Sequence, residues 1–230
     1  MIEEAFPGLA GARVLDDGCG LGTYVGKLAA LAREAYGLDY EHERVSEGVR
    51  RLGRGVLVCA AGERLPFPDA TFDLVLSNEV IEHVRDDREA LAEMARVTRP
   101  GGRVVLFCPN RWYPVEQHGV YWRGRYHFGN VPLVNYLPDP LRDRLAPHVR
   151  AYTRRRLRRL FDGLPFRVVR HTVIFGGYDN LARRYGRVGG AVQRTMHTLE
   201  RTPARTFGLS HFVVLERGAS PGRVSRAGDA

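Results

Sequence analysis

Residues 14–22 read Val-Leu-Asp-Asp-Gly-Cys-Gly-Leu-Gly, and this stretch decides the fold. Val14 and Leu15 end an apolar strand, two acids follow, and Gly18, Gly20 and Gly22 lead into a helical run over 23–35. A strand turning tightly into a helix leaves unpaired backbone N–H groups at the helix start, which suit an anionic group. Glycine permits unusual dihedrals and lets a ligand approach with no Cβ in the way. The spacing is Gly-x-Gly-x-Gly. The Gly-x-Gly-x-x-Gly of dinucleotide sites is excluded, because Thr23 and Val25 stand where later glycines would be needed.

Outward from this turn, strand and helix patterns alternate. Strands are expected at 35–39, 56–60, 72–77 and 103–108, with helices over 41–52 and 86–98 between them. The run at 56–60 is continuously apolar, as a strand buried on both faces requires. Leu91, Met94, Ala95 and Thr98 form an apolar stripe, and Arg99-Pro100-Gly101-Gly102 stops that helix. The pattern predicts an α/β fold, a doubly wound and mostly parallel sheet with right-handed crossovers. From 110 to 150 it breaks into a Pro-, Gly- and aromatic-rich stretch that reads as an irregular insertion over the sheet's carboxyl edge. A helix at 153–161 with Thr153 as N-cap, strands at 166–175 and 211–216, and an arginine-rich helix at 181–200 complete seven strands. The reading is one domain over 1–217, with a substrate-covering insertion at 110–150 and a helical one at 176–207. The Gly, Ser, Arg and Asp tail at 218–230 is expected to be disordered.

Composition narrows the classes. The 230 residues suffice for one sizeable core, and no apolar run reaches the ~18 residues of a membrane span. Met1-Ile2-Glu3-Glu4 is acidic where a secretion signal would be basic, and the three cysteines lack metal-ligand spacing. Both point to a cytoplasmic protein with reduced, strand-packing cysteines. The net charge of +9 is uneven: residues 1–150 hold 19 basic and 21 acidic residues, residues 151–230 hold 16 and 5. A basic third can attract nucleic acid or anionic lipid. Lys27 is the only lysine, however, and so uniform a use of arginine favours compositional bias over a binding face.

In its glycine turn the chain resembles the class I S-adenosylmethionine-dependent methyltransferases of the type 11 group, whose first motif reads Asp-x-Gly-x-Gly-x-Gly. The resemblance covers roughly residues 10–110 and implies the Rossmann-like seven-stranded sheet, with S-adenosyl-L-methionine as cofactor. It implies that Asp16, Gly18, Cys19, Gly20 and Gly22 face the methionine end of that cofactor. Asp39, 22 residues after Asp17, ends the second strand, where a carboxylate can accept from both ribose hydroxyls. Tyr40 offers adenine a flat face. Ala60-Ala61-Gly62-Glu63-Arg64-Leu65-Pro66-Phe67 matches a loop that usually reads Gly-Asp-Ala-Glu-x-Leu-Pro-Phe. Ala61 replaces the aspartate that bonds the adenine amino group, leaving backbone near Gly62 and the side chain of Glu63. Ser77-Asn78-Glu79-Val80-Ile81-Glu82-His83-Val84 ends the fourth strand, where such sheets place their chemistry, with Asn78 and Glu79 against the cofactor.

Methyl transfer from a sulfonium is an in-line displacement driven by positioning and desolvation, and a hydroxyl acceptor also needs a base. His83 and His118 are the candidates, with Glu116 close by. Glu79-Val-Ile-Glu82-His83 also resembles the metal-binding turn of small-RNA 2′-O-methyltransferases and of some quinone-pathway O-methyltransferases. A histidine base is preferred, and no metal is assigned. Trp112, Tyr113, Tyr121, Trp122, Tyr126, Phe128 and Tyr136 crowd the insertion and suit a flat or apolar small-molecule acceptor, methylated at oxygen. An RNA methyltransferase using the basic third, and a non-catalytic adenosine-binding module motivated by Ala61, are the alternatives.

Overall fold

A computed structural model describes residues 1–53, 56–176 and 179–218, without the side chains of 179–182. Residues 219–230, expected to form a disordered tail, lie outside the described residues. Seven strands form one sheet: β1 (Arg13–Asp17), β2 (Glu34–Asp39), β3 (Leu57–Cys59), β4 (Phe72–Asn78), β5 (Thr98–Pro109), β6 (Phe166–Ile174) and β7 (Ser210–Arg217). Their order is β6-β7-β5-β4-β1-β2-β3. All neighbouring pairs among β1–β5 are parallel; β7 is antiparallel to both β5 and β6.

The pleat explains the near-continuous apolar strands. Successive residues point to opposite faces, and both faces are covered. Leu15, Val75 and Leu106 pack on one face with Leu91 and Met94 of α3 (Asp87–Val97) and Leu157 of α5 (Arg154–Phe161). Val14, Leu74, Leu76 and Val105 pack on the other with Val25 and Leu28 of α1 (Thr23–Leu28) and Val45 of α2 (His42–Leu52). Each such side chain contributes about 1.5–3 kcal/mol. Thr153 caps α5, its hydroxyl accepting from the Arg156 N–H at 3.2 Å, as its position predicts.

Several boundaries move. The first helix ends at Leu28, because Ala12 O captures the N–H groups of Arg33 and Glu34 and draws 34 onward into β2. The strand expected at 56–60 keeps only Leu57–Cys59 and lies at the sheet edge, so Leu57 is buried while Cys59 is exposed. Edge placement also overturns the strand-packing role of Cys59; Cys19 and Cys108 are buried. The Arg-Pro-Gly-Gly stop is absorbed into β5, where the register with β4 shifts between Phe72 and Leu74. The long arginine-rich helix, α6 (Asp179–Leu199), breaks at Gly186.

The largest departure is at 110–150, which is ordered rather than irregular. Val115–Glu116 pairs with Val131–Pro132, Val120–Trp122 pairs with Arg125–His127 inside that ribbon, and α4 (Asp139–Leu145) follows. Its start is tied to the segment before β7 by Asn110, which is buried and donates to Thr206 O at 2.8 Å and Gly208 O at 2.7 Å.

Asp86 caps α3, its carboxylate accepting from the N–H groups of Arg88 and Glu89, both at 2.9 Å. Asp86→Ala therefore lowers the unfolding free energy by about 1 kcal/mol. Denaturant titration reads this directly, and a loss below a few tenths of a kcal/mol would remove the cap from the account.

Candidate active site

The parallel strands β1–β4 end at one edge, and the glycine turn runs across it. Gly18 has φ 82°, and a Cβ there would collide with Val80 Cγ2, so the turn closes on the loop after β4. Gly20 has φ 53°, and its missing Cβ would meet only open space. The Gly20 N–H donates to Asp39 Oδ2 at 2.7 Å and the Glu41 N–H to Asp39 Oδ1 at 2.9 Å, so one carboxylate ties the ends of β1 and β2 together.

Above this turn lies a groove of about 730 Å³ whose walls include Gly18, Asp39, Tyr40, Ala61, Gly62 and Glu63. Tyr40 is 70 % exposed along it. A second, mostly apolar cavity of about 680 Å³ is lined by Leu28, Leu76, Asn78, Phe107, His118 and Leu209, among others. Glu79 lines both. It sits at φ 56°, a left-handed conformation that costs a non-glycine residue, and Ser210 Oγ donates to its Oε1 at 2.7 Å.

Not every expected contact faces the groove. The Cys19 thiol lies in the core against Gly37, and burial pushes it up to about 12, which makes it inert. Gly22 holds φ 74° at the start of α1, a left-handed conformation that favours glycine, and a Cβ there would also press on Leu52 Cδ1 at 2.8 Å. Asp16 is buried and absent from the walls of both cavities. Its neighbour Asp17, which sequence reasoning passed over, lines the groove, and neither of its carboxylate oxygens has a partner among the described residues. The only cue was a second acid in the motif. Glu63 lines the groove too, but its Oε1 accepts from the Arg85 N–H at 2.7 Å, so it also fastens the β3 loop to the segment before α3. Asn78 faces the apolar cavity instead of the groove.

The two candidate histidines meet although one follows β4 and the other lies in the insertion. Their ring centroids are 5.2 Å apart, edge to face. His83 Nδ1 lies 3.3 Å from His148 O, and burial pushes its pKa down. His118 is held more firmly. Its Nδ1 is 2.9 Å from Glu116 Oε1, and its backbone N–H donates to the same oxygen at 3.0 Å. Arg142 Nη2 donates to Glu116 Oε2 at 2.9 Å, with both side chains buried. Burial alone would raise Glu116, but the bonds from His118 and the charge of Arg142 hold it below the usual carboxylate range. A charged Glu116 accepts the Nδ1 proton, which leaves Nε2 as the lone-pair nitrogen of His118. Neither Glu116 nor Arg142 carries a sequence signal for this role beyond the proximity of Glu116.

Glu82 is buried, with neither carboxylate oxygen hydrogen-bonded among the described residues and Oε1 3.9 Å from His83 Nε2. Burial, then the nearby Glu79, pushes it well above the ordinary range. Glu82, His83 and His118 each place one ligand-type atom within 4.8 Å of the others, a donor set with divalent-cation chemistry.

The strand order, glycine turn and Asp39 anchor define a doubly wound, Rossmann-like α/β fold. Residues 15–106 match a family described as a methyltransferase domain. A protein named "Probable S-adenosylmethionine-dependent methyltransferase" from Mycolicibacterium smegmatis is 39 % identical over 102 residues, 44 % of this chain and 40 % of that one. A demethylmenaquinone methyltransferase of Beutenbergia cavernae is 34 % identical over 149 residues, 61 % of this chain and 62 % of its own length. The chain thus spans about two fifths and three fifths of these relatives. The crystal structure of an S-adenosylmethionine-dependent methyltransferase from Mesorhizobium loti superposes with a TM-score of 0.65 at 17 % identity, covering 94 % of this chain and 95 % of that one. Residues 15–106 are thus similar to a methyltransferase domain, and the solved structure, at 17 % identity, shares the fold. No helix among the described residues is long and apolar enough to cross a membrane.

The buried acids under the turn give a stability prediction. Burial and neighbouring acids raise Asp16 and Asp17 each to about 7. Both therefore bind a proton more readily folded than unfolded, so their favourable contribution is complete below about pH 4 and lost as pH rises through about 7. Asp17→Asn removes its share. In melts of the cofactor-free protein between pH 4.5 and 8, the variant should lose about 2 kcal/mol less than the parent. Parallel curves for the two proteins would show that Asp17 is not strained in this way.

Proposed function

We propose that the protein transfers a methyl group from S-adenosyl-L-methionine to a flat, largely apolar small molecule, most readily at an acidic hydroxyl oxygen. The observation that carries this is the meeting of two cavities at Glu79, with His83 and His118 close by. The groove suits the nucleoside: Asp39 closes the end of β2, Tyr40 offers a stacking face, and the open space over Gly20 leaves backbone accessible. When bound, the cofactor supplies an already activated methyl electrophile.

The rest is work for this chain. The apolar cavity desolvates the acceptor, and Asn78, Gln117 and His118 line it with polar groups that can orient a hydroxyl. His118 Nε2 takes the hydroxyl proton while Glu116 stabilises the resulting imidazolium through Nδ1. The oxygen, left with its electron pair, is the nucleophile to which the bound cofactor would give its methyl group, its sulfur leaving as a thioether. His83 lines the nucleoside groove and packs its ring against that of His118. The same base serves a ring carbon activated by a neighbouring phenolate, a reading supported by the relative named for demethylmenaquinone.

A second reading is favoured by one observation, the buried Glu82 that lacks a hydrogen bond beside both histidines: a divalent cation there would activate the acceptor directly. Turnover unaffected by chelator fits the histidine base; inhibition reversed by added divalent ion moves the role to Glu82, His83 and His118.

Two sets of variants test the main reading. Asp39→Ala weakens S-adenosylmethionine by about 1–3 kcal/mol in calorimetry; unchanged affinity removes Asp39 from the site. His118→Ala lowers kcat by about 10²-fold or more and His83→Ala also reduces it, both with cofactor affinity nearly intact. Glu116→Gln lowers kcat by about 10-fold and shifts the His118 ring away from the Nδ1–H tautomer in nitrogen NMR. Full turnover in both histidine variants, measured as S-adenosylhomocysteine formed, would exclude an imidazole base and point to an amine or thiolate acceptor.

A further inference from the structure

The insertion carries a surface that the methyltransferase reading leaves unused. Its inner ribbon, Val120–Trp122 with Arg125–His127, projects through an Arg123-Gly124 turn, and Arg123 sits at φ 49°. Trp122 is 59 % exposed and Phe128 83 %, with Tyr121 and Tyr126 also exposed on the same ribbon. Leu133 and Leu141, further along the insertion, are exposed as well. A cluster of large exposed apolar side chains this dense within one short segment marks an interaction site.

The charge of the segment selects the partner. Between Glu116 and Asp139 there is no acidic residue, while Arg123 and Arg125 stand exposed at the tip. Tryptophan, tyrosine and phenylalanine beside arginine is the composition that settles at a lipid headgroup boundary: rings enter the acyl edge, and guanidinium groups meet anionic heads. An aqueous protein partner would more often meet a mixture of both signs. We infer that this ribbon docks on the surface of a bilayer containing anionic lipid, inserting Trp122 and Phe128 while Arg123 and Arg125 contact the phosphates.

The ribbon is mechanically joined to the candidate site. Tyr126 donates its hydroxyl proton to His118 O at 2.5 Å, His148 Nε2 lies 3.0 Å from the same oxygen, and the His148 ring packs edge-on against Tyr121 and Tyr126. Docking therefore places the mostly apolar 680 Å³ cavity, which His118 lines, close to the bilayer surface. An acceptor with an apolar body could then reach that cavity from the lipid phase. The docking itself does not depend on His118 being a base.

The test uses the full chain with vesicles of phosphatidylcholine alone and with a third phosphatidylglycerol, some carrying brominated acyl chains. Trp112 and Trp122 are the only tryptophans. Expected are binding to the anionic vesicles that weakens as salt rises, a blue shift of tryptophan emission, and quenching by the brominated chains. Trp122→Phe should lose most of the quenching, and Trp122→Ser with Phe128→Ser should weaken binding at least 10-fold. Both residues are exposed, so the fold is retained, which circular dichroism verifies. Three results would overturn the inference. One is no partition into anionic vesicles. Another is binding without quenching that the double variant does not alter, which assigns adsorption to the basic residues beyond 150. The third is a stable dimer in solution that the double variant dissociates, which assigns the ribbon to a second copy of this chain.

Discussion

Strands β1 to β5 run parallel, so all five deliver their carboxyl ends to one edge, and every element of the site is a consequence. From that edge β1 runs into the glycine turn, β2 ends on Asp39, and β4 ends on Asn78 before the strained Glu79. Strand β5 leads from the same edge into the insertion that carries His118. A register slip of one residue would turn Leu74 and Leu76 to the opposite face and move these ends apart. The two packed faces forbid it, because each strand contributes alternating side chains to two separate cores.

The insertion depends on a second interaction, the buried pair of Arg142 and Glu116. Burying two charges costs several kcal/mol per ion unless all their bonding capacity is met. Here the guanidinium also donates to Asn135 Oδ1 at 3.3 Å and Val149 O at 2.8 Å, and the carboxylate accepts twice from His118. A well-packed apolar pair could give equal stability. What the ion pair adds is direction, since a charged carboxylate accepting at Nδ1 fixes the proton on that ring nitrogen of His118. The insertion is thus tied at one end to the segment before β7, through Asn110, and at the other to the imidazole that lines the cavity.

Much of this was legible in the residue string. Alternating strand and helix patterns give the sheet, the glycine spacing separates this turn from a dinucleotide turn, and Asp39 follows from its place at a strand end. His83 and His118 could be paired only through family resemblance, because nothing in their sequence separation indicates that the insertion folds back. The misreadings share a cause. Cys59 and 56–60 read as a buried strand because apolar content does not reveal that a strand is the edge. Cys19 and Gly22 sit in the motif and also pack against Gly37 and Leu52, which are distant in sequence, a contact that no local pattern shows. The insertion read as irregular because its strands are two or three residues long, too short for any period to show. Glu116 and Arg142 form a long-range pair that no local pattern encodes.

The central claim is that the 730 Å³ groove and the 680 Å³ cavity are two halves of one reaction site joined at Glu79. A crystal structure of the protein grown with S-adenosylhomocysteine tests it most directly. The account predicts adenosine along Asp39, Tyr40 and Ala61, with the sulfur directed past Glu79 toward the cavity lined by His118. Adenosine in the apolar cavity, or a sulfur turned away from Glu79 and His118, would contradict it.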